Sequence, residues 1–167
     1  LKGNGGSIKL LTVTEGHGHA TVLNACFEHL SGDIALMLPA YHQIEPDAIP
    51  RVVSALDGYD MVVVRRWPRA DGILTRIQVR GFHTILHGLL GFDFHDLGCT
   101  VRIMKRKVFE TLDIYGDQHR FLPVLASYSG FKVREVEAPQ TAHDTFQQHL
   151  SIGLYANRLL DLLSIFF

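Results

Sequence analysis

Apolar residues along the chain follow two alternating patterns, one typical of strands and one typical of helices. Residues 34–38 and 61–64 are continuous apolar runs, which favour strands covered on both faces. Shorter strand signals occupy 9–13, 101–103 and 132–136, the last of these half-exposed. Helical spacing predicts helices over 20–30, 45–56, 73–90, 107–112 and 119–129 and from about residue 150. Strands alternating with helices favour an α/β fold in which helices flank a mostly parallel sheet.

Residues that favour helix ends support two of these helices. Gly32 is expected to close the helix over 20–30, because glycine tolerates the left-handed conformation that ends many helices. Pro46 suits the first position of the helix over 45–56, and Asp47 suits the positive end of its dipole.

The composition indicates one ordinary domain with little net charge. The 167 residues are 47% hydrophobic, which is enough for a core. Lys and Arg number 16 against 17 Asp and Glu, so no overall field would recruit nucleic acid or anionic lipid. Any anion site must therefore be local. Cys26 and Cys99 do not suggest a disulfide framework and are expected to be free thiols.

The two ends of the sequence lead us to expect a partial domain. Residues 1–7 are glycine-rich, lack an initial methionine and do not resemble a signal peptide. Residues 159–167 are strongly apolar, but this run is shorter than the roughly 20 residues that cross a bilayer. The run could begin a membrane segment or form a terminal core helix, and composition leaves both open.

The densest group of candidate functional residues lies between Asp96 and Arg102. Asp96 and Gly98 precede a predicted strand, and Arg102 lies within it. A carboxylate beside guanidinium groups could deprotonate one group while a neighbouring phosphate is neutralised. His119 and Arg120 add a second cationic pair. Because Asp and Gly also suit turns at strand entrances, a purely structural role stays open.

The predicted helix over 73–90 has a basic face. Arg76, Arg80, His83 and His87 fall on one side of it at helical spacing. Such a face is commonly solvated, and phosphate binding is the functional alternative. His83 and His87 have the one-turn spacing of a zinc pair, but the acid of the HExxH pattern is absent.

Six segments, in their order and spacing, resemble a known family. They read GHATVLNACFEHLSGD, EPDAIPRVV, GYDMVVVRRWPRADG, DLGCTVRIMKRKVF, HRFLPVLA and VEAP. Together they resemble the family 2 glycosyltransferases of the polyprenyl-phosphate type, which include dolichyl-phosphate mannose synthases and bacterial undecaprenyl-phosphate sugar transferases. The similarity extends over nearly the whole chain.

The resemblance implies a GT-A type, Rossmann-like fold, with residues 1–167 forming one partial glycosyltransferase domain. It implies transfer of a hexose from a UDP- or GDP-sugar to a polyprenyl phosphate at the cytoplasmic face of the membrane. The implied partners are the nucleotide-sugar donor, the lipid-phosphate acceptor and the membrane, with no nucleic acid, and a homo-oligomer is allowed. The helix over 150–167 would then lead towards a membrane segment.

The resemblance also assigns roles to individual residues. Asp96 matches the family's Asp before Gly-Cys, near the reaction centre, and Arg102 matches the Arg at the end of that motif. His119 and Arg120 match a cationic pair that could hold the acceptor phosphate. The arginine-rich loop, where pyrophosphate charge could be neutralised, contains Arg65 and Arg69.

The sequence departs from the family pattern where a metal would be held. The family has Asp-Ala-Asp-Leu-Gln after the buried strand and implies Mg²⁺ or Mn²⁺, whereas this chain has Pro39-Ala40-Tyr41-His42-Gln43. Both carboxylates are absent, and Gln43 is the remaining candidate ligand. The alternatives are therefore an active enzyme and a binding or regulatory domain that has lost metal-dependent turnover. A Ser-Lys pair of the family is also replaced, by Gln148 and His149.

Overall fold

The computed structural model describes residues 9–12, 18–68, 81, 84, 87–88, 91, 94–115 and 118–142. Helices alternate with strands along most of this part of the chain. The order is α1 (His19–Glu28), β1 (Ile34–Met37), a 3₁₀ turn (Pro46–Ala48), α2 (Ile49–Ser54), β2 (Met61–Arg66), β3 (Arg102–Lys105), α3 (Arg106–Thr111), a second 3₁₀ turn (Gln118–Phe121), α4 (Leu122–Tyr128) and β4 (Val133–Ala138).

The four strands form one mixed sheet in the order β1-β3-β2-β4. β3 runs antiparallel to both β1 and β2, whereas β2 and β4 are parallel. The α/β architecture is therefore confirmed, but the described pairings are not mostly parallel as expected. A continuous apolar run indicates that both faces of a strand are covered, but it does not indicate whether the neighbouring strands run parallel or antiparallel to it.

The central strand β2 explains the apolar run at 61–64. Successive side chains of a strand point to opposite faces, and both faces of β2 are packed. Met61 and Val63 contact the cluster formed with α1, α3 and α4. Val62 and Val64 contact the cluster formed with α2. Because no side chain from 61 to 64 is more than 4% exposed, the whole run is apolar.

The edge strand β1 does not share this environment. Ala35 is buried, but Ile34 and Leu36 are 52% and 38% exposed, so the prediction of burial on both faces was wrong here. The reason is that the described residues cover only the Ala35 face. The predicted strand at 9–13 was also wrong, since 9–12 have no strand pairing, and residue 13 lies outside the described residues.

Four of the six helix predictions hold with shifted boundaries. α1 ends at Glu28, and Gly32 is not in the left-handed region, so the predicted closure at Gly32 was wrong. A left-handed glycine does end α4, where Gly130 (φ 83°) donates its N–H to the carbonyl of Ser127 and Phe131 N–H donates to that of Ala126. The helices predicted over 45–56 and 119–129 each begin as a 3₁₀ turn.

Two predicted helices lie largely or wholly outside the described residues. Of the helix over 73–90, only Gly81, Thr84, His87 and Gly88 are described, and all four are helical. The helix from about residue 150 lies entirely outside. Within the described part of the chain, no helix is both long and apolar enough to cross a membrane.

Candidate functional site

The candidate residues collect at one edge of the sheet, which we call the site edge. It consists of the carboxyl ends of β1, β2 and β4, at Met37, Arg66 and Ala138, and the amino end of β3, at Arg102. The pairing register aligns Arg102 with Met37 and Val63, and Arg66 with Ala138. Open α/β sheets bind ligands at the carboxyl ends of their strands, so this is the expected place for a site.

Asp96 and Arg66 form a buried ion pair at the site edge. Nε of Arg66 donates to Oδ2 of Asp96 at 2.8 Å, and Nη2 donates to Oδ1 at 2.9 Å. The main-chain N–H of Arg66 also donates to Oδ2, at 3.1 Å. Both side chains are largely removed from water. The predicted catalytic carboxylate is therefore held at both oxygens by an arginine that the sequence analysis did not single out.

Gly98 allows this pair to lie against the turn that follows Asp96. A Cβ at this position would lie 3.2 Å from Nη2 of Arg66 and 3.3 Å from Oδ1 of Asp96. The turn is closed by the N–H of Cys99, which donates to the carbonyl of Asp96 at 3.2 Å. Glycine at 98 is thus explained by the close approach of the ion pair.

Glu135 on β4 fixes the segment that carries Asp96. Its Oε1 accepts the main-chain N–H groups of His95 and Asp96, at 2.8 and 3.1 Å. Its Oε2 lies 2.8 Å from Nδ1 of His95. Sequence analysis missed Glu135, because nothing local in β4 signals a contact with a segment 40 residues away.

Arg102 donates hydrogen bonds to the main chain of a neighbouring segment. Its Nη1 donates to the carbonyl of His119, and its Nη2 donates to the carbonyl of Arg120 at 2.9 Å. The side chain is fully buried, and this burial lowers the pKa of the guanidinium to about 10. The neighbouring Cys99 and Asp96 partly oppose this lowering of the pKa. Arg102 thus connects β3 to the cationic pair at 119–120.

His119 lies inside the fold, next to the start of α1. Its ring stacks on that of His19, with centroids 5.0 Å apart and planes 20° apart. His119 is buried, whereas His19 is exposed and Arg120 is partly exposed. His19 was missed in the sequence analysis, since its contact with His119 spans 100 positions of the chain. The cationic pair therefore borders solvent through His19 and Arg120.

Arg65 lies at the end of β2, one residue before the arginine that holds Asp96. Its Nη1 is 3.3 Å from Oε1 of Glu137, and its guanidinium lies over the ring of Trp67, 5.1 Å from the centroid. Both partners of this ion pair are partly exposed. Arg69, the other arginine assigned to the loop, lies outside the described residues.

Gln43, the predicted metal ligand, is buried in hydrogen bonds to the protein. Its Oε1 accepts the N–H of Thr100 at 2.8 Å and the hydroxyl of Thr100 at 3.0 Å. Its Nε2 donates to the hydroxyl of Tyr41 at 3.0 Å. Over the ranges that the structure describes, no group of three or more His, Cys, Asp or Glu side chains could hold a metal ion.

Cys99 is an inert neighbour of the ion pair. Burial, followed by the charge of Asp96, raises the pKa of its thiol to about 12. A neutral, buried thiol is a poor nucleophile. Cys99 packs in the α2-side core, so its contribution at this edge is to the packing.

At the site edge the structure joins Arg102 to the main-chain carbonyl of His119. That Asp96, Arg102 and His119 converge on one cleft stays a prediction. The structure adds Arg66, Glu135 and His19 to this group. The roles of the predicted residues in binding or catalysis stay predictions.

The α/β sheet, with its candidate residues at this edge, is compatible with a GT-A type fold. The model of the family described as Glycosyl transferase family 2 matches residues 1–113. This match covers more than half of the chain, and the chain belongs to that family.

Curated relatives agree with this assignment. An undecaprenyl-phosphate 4-deoxy-4-formamido-L-arabinose transferase of Erwinia tasmaniensis is 26% identical over 158 residues, which cover 94% of this chain and 49% of the relative. The enzyme of the same name from Klebsiella pneumoniae is 29% identical over 136 residues, with 81% and 41% covered. The chain thus spans about half the length of the curated relatives it matches.

Solved structures confirm the GT-A type fold. Glucosyl-3-phosphoglycerate synthase from Mycobacterium tuberculosis, in complex with phosphoglyceric acid, matches with a TM-score of 0.66 at 18% identity. The match covers 91% of this chain and 56% of the synthase. A second structure of that synthase, with Mn²⁺, UDP-glucose and phosphoglyceric acid, gives a TM-score of 0.65 at 18% identity over 90% and 55% of the two chains.

Proposed function

We propose that the protein is a glycosyltransferase that moves a sugar from a nucleotide-sugar donor to a polyprenyl phosphate at the cytoplasmic face of a membrane. The observation that carries this proposal is the ion pair of Asp96 with Arg66. Both carboxylate oxygens already accept hydrogen bonds from the guanidinium, at 2.8 and 2.9 Å. The acceptor that suits such a site is one whose attacking oxygen needs no strong base.

A phosphate acceptor meets this requirement, whereas an alcohol does not. A phosphate monoester is already ionised near neutral pH, so its oxygen attacks without first losing a proton to the protein. Catalysis then depends on position and charge compensation. A hydroxyl acceptor would need Asp96 to take its proton, and the bonds from Arg66 compete with that step. The names of the curated relatives specify undecaprenyl phosphate, which is consistent with this choice.

The remaining residues divide between the two substrates. His119 and Arg120, with their main chain held by Arg102, would face the acceptor phosphate. Arg65, together with Arg69, would face the diphosphate of the donor. Asp96 would orient Arg66 and the turn at Gly98. The donor is a nucleoside diphosphate sugar, and the 4-deoxy-4-formamido-L-arabinose of the relatives is one candidate for its sugar.

The residues at 39–41 and Gln43, where the family pattern places its metal, do not fit a divalent ion of the kind that accompanies UDP-glucose in the solved synthase. Pro39, Ala40 and Tyr41 offer no carboxylate where the family has two. The side-chain oxygen of Gln43 is engaged by Thr100. We therefore derive no step of the reaction through a metal.

A transfer assay tests the proposal. The full-length protein is incubated with UDP- and GDP-sugars and a short-chain polyprenyl phosphate, with the corresponding polyprenol as the control acceptor. We expect a glycolipid product with the phosphate and none with the polyprenol. Transfer to the polyprenol at a similar rate would overturn the choice of acceptor. Absence of transfer from every donor would overturn the proposal that the protein is an active glycosyltransferase.

The loss of both carboxylates at 39 and 41 favours a second candidate, a domain that binds the nucleotide sugar without turning it over. The two candidates share the fold and the cationic residues. Titration of the protein with UDP and GDP separates them, because binding without any transfer identifies the binding domain, and binding with transfer identifies the enzyme.

A further inference from the structure

The loop that follows β1 lacks the two carboxylates that the family has at positions 39 and 41. At positions 39, 40 and 41 the side chains are those of Pro, Ala and Tyr, none of which supplies a charged oxygen. Hard cations such as Mg²⁺ and Mn²⁺ bind through oxygen ligands, and carboxylates supply the compensating charge. Positions 39–41 therefore supply no charged ligand at the place where the family holds its metal.

The same loop is fastened to its surroundings at several points. The Gln43 amide bridges the hydroxyl of Tyr41 and both the main-chain N–H and the hydroxyl of Thr100. Gln43 is only 3% exposed. The carbonyl of Gln43 accepts the N–H of Thr141, and the N–H of Glu45 donates to the carbonyl of Pro139. Turning Gln43 towards a cation would leave buried polar groups without these bonds, which is costly.

Positive charge at the site edge comes from arginines instead. The described guanidinium groups whose contacts place them there belong to Arg65, Arg66 and Arg102, beside the carboxylates of Asp96, Glu135 and Glu137. In a divalent centre held by two carboxylates, the ion and its ligands cancel in charge. Losing both carboxylates together with the ion leaves the net charge of the site unchanged.

Among the described arginines of the site edge, Arg65 is the best placed to accept a new anionic partner. Its ion pair with Glu137 is partly exposed and monodentate, at 3.3 Å. Such surface pairs are weak, and a diphosphate carries more charge than one carboxylate. The stacking of Arg65 on Trp67 keeps the guanidinium at the end of β2 while its partner changes.

We propose that the site edge binds a nucleoside diphosphate without a divalent cation, with Arg65 and its neighbouring arginines neutralising the phosphates. This inference rests on the proposed function, since it concerns the donor half of the same site. It differs from what the solved synthase shows for itself, where UDP-glucose is accompanied by Mn²⁺.

Calorimetry on the full-length protein tests the inference. UDP and GDP are titrated separately, first in EDTA and then in excess Mn²⁺. We expect at least one nucleotide to bind in EDTA, with a Kd that changes less than about threefold when Mn²⁺ is added. We expect Arg65→Ala to weaken that binding by about tenfold. Arg106→Ala, which removes an exposed arginine at the opposite end of the sheet, should leave it unchanged.

Restoring the carboxylates provides the converse test. The double variant Pro39→Asp with Tyr41→Asp should acquire nucleotide-dependent Mn²⁺ binding, which is measured by electron paramagnetic resonance of the free ion. Tyr41→Phe is the matched control, because it removes the hydroxyl that accepts from Gln43 without adding a ligand.

The possible outcomes separate this inference from the proposed function. Nucleotide binding to the wild type that requires Mn²⁺ would overturn metal-free binding and leave the transferase intact. Absence of UDP and GDP binding under both conditions would overturn the inference. The separate transfer assay then tests whether the protein is a transferase. Binding in EDTA that Arg65→Ala does not weaken would overturn the assignment to the arginines.

Discussion

Arg66 holds both carboxylate oxygens of Asp96 from a position 30 residues earlier in the chain. The two parallel hydrogen bonds, together with the main-chain N–H of Arg66, leave the carboxylate oriented and its charge compensated. In a buried pair of this kind, each side chain compensates the charge of the other. Removing either one leaves an uncompensated buried charge.

We predict that Arg66→Met alone destabilises the protein by about 3–5 kcal/mol, because it leaves the buried Asp96 carboxylate without a compensating charge. Asp96→Asn should cost less, because the amide can still accept one hydrogen bond from the guanidinium. The double variant should cost less than the sum of the two single variants. Urea denaturation of the four proteins measures this coupling.

Arg65→Ala is the matched control for that cycle, because it removes the neighbouring arginine from a partly exposed pair. Its expected cost is about 0–1 kcal/mol. Equal costs for Arg65→Ala and Arg66→Met would contradict the importance of the buried pair.

We predict that Arg102 is a positioning residue for the acceptor side of the site. Arg102→Lys keeps a positive charge but cannot donate to both the His119 and Arg120 carbonyls in the same geometry. We expect the KM for polyprenyl phosphate to rise by about tenfold, with little change in the affinity for the donor nucleotide. Steady-state kinetics and nucleotide titration measure the two effects.

A merely structural role for Arg102 would lower the active fraction of the protein and reduce kcat, without raising the KM for one substrate. Arg106→Lys on the exposed side of α3 serves as the control, and its kinetics should match the wild type. Equal weakening of donor and acceptor binding by Arg102→Lys would contradict the proposed division of the site.

Local sequence patterns predicted the elements better than their surroundings. The runs at 34–38 and 61–64 look alike, but β2 lies between two packed clusters whereas β1 is covered at Ala35 and exposed at Ile34 and Leu36. Burial of a strand depends on which elements cross its faces, and those elements come from distant parts of the chain. Strand direction was missed for the same reason.

The candidate site shows the same limit. Asp96 and Arg102 were found from their chemistry and from the family resemblance, and both lie at the site edge. The ion pair with Arg66 and the support from Glu135 were not found, because each joins residues at least 30 positions apart. The same long-range contacts show Arg102 bound to main-chain carbonyls, whereas the sequence alone had suggested a phosphate ligand.

We predict that the two cysteines differ in reactivity. Burial raises the pKa of Cys99 to about 12, so its thiol stays protonated at neutral pH, and it is also inaccessible. Cys26 on α1 is partly exposed. A thiol reagent at neutral pH should label Cys26 and leave Cys99 unmodified, as measured by peptide mass spectrometry. Labelling in urea is the control, in which both should react, and fast native labelling of Cys99 would contradict the packing around it.

At the opposite end of the sheet, Asp60 should make stability sensitive to acid. The hydrogen bond from Lys107 at 2.7 Å, followed by the main-chain N–H of Lys132 at 3.1 Å and the charges of both Lys107 and Lys105, holds the pKa of this carboxyl below 3.8. Because the folded pKa is lower than the unfolded one, the stabilisation is complete above pH 3.8 and is lost as the pH falls through the folded value. We therefore expect the urea midpoint of the wild type to fall between about pH 5 and pH 3 by more than that of Asp60→Asn, which cannot titrate.

Asp113→Asn, which removes an exposed carboxylate outside this cluster, should keep the acid response of the wild type. An identical response in all three proteins would show that the Asp60 pairs do not contribute to folding.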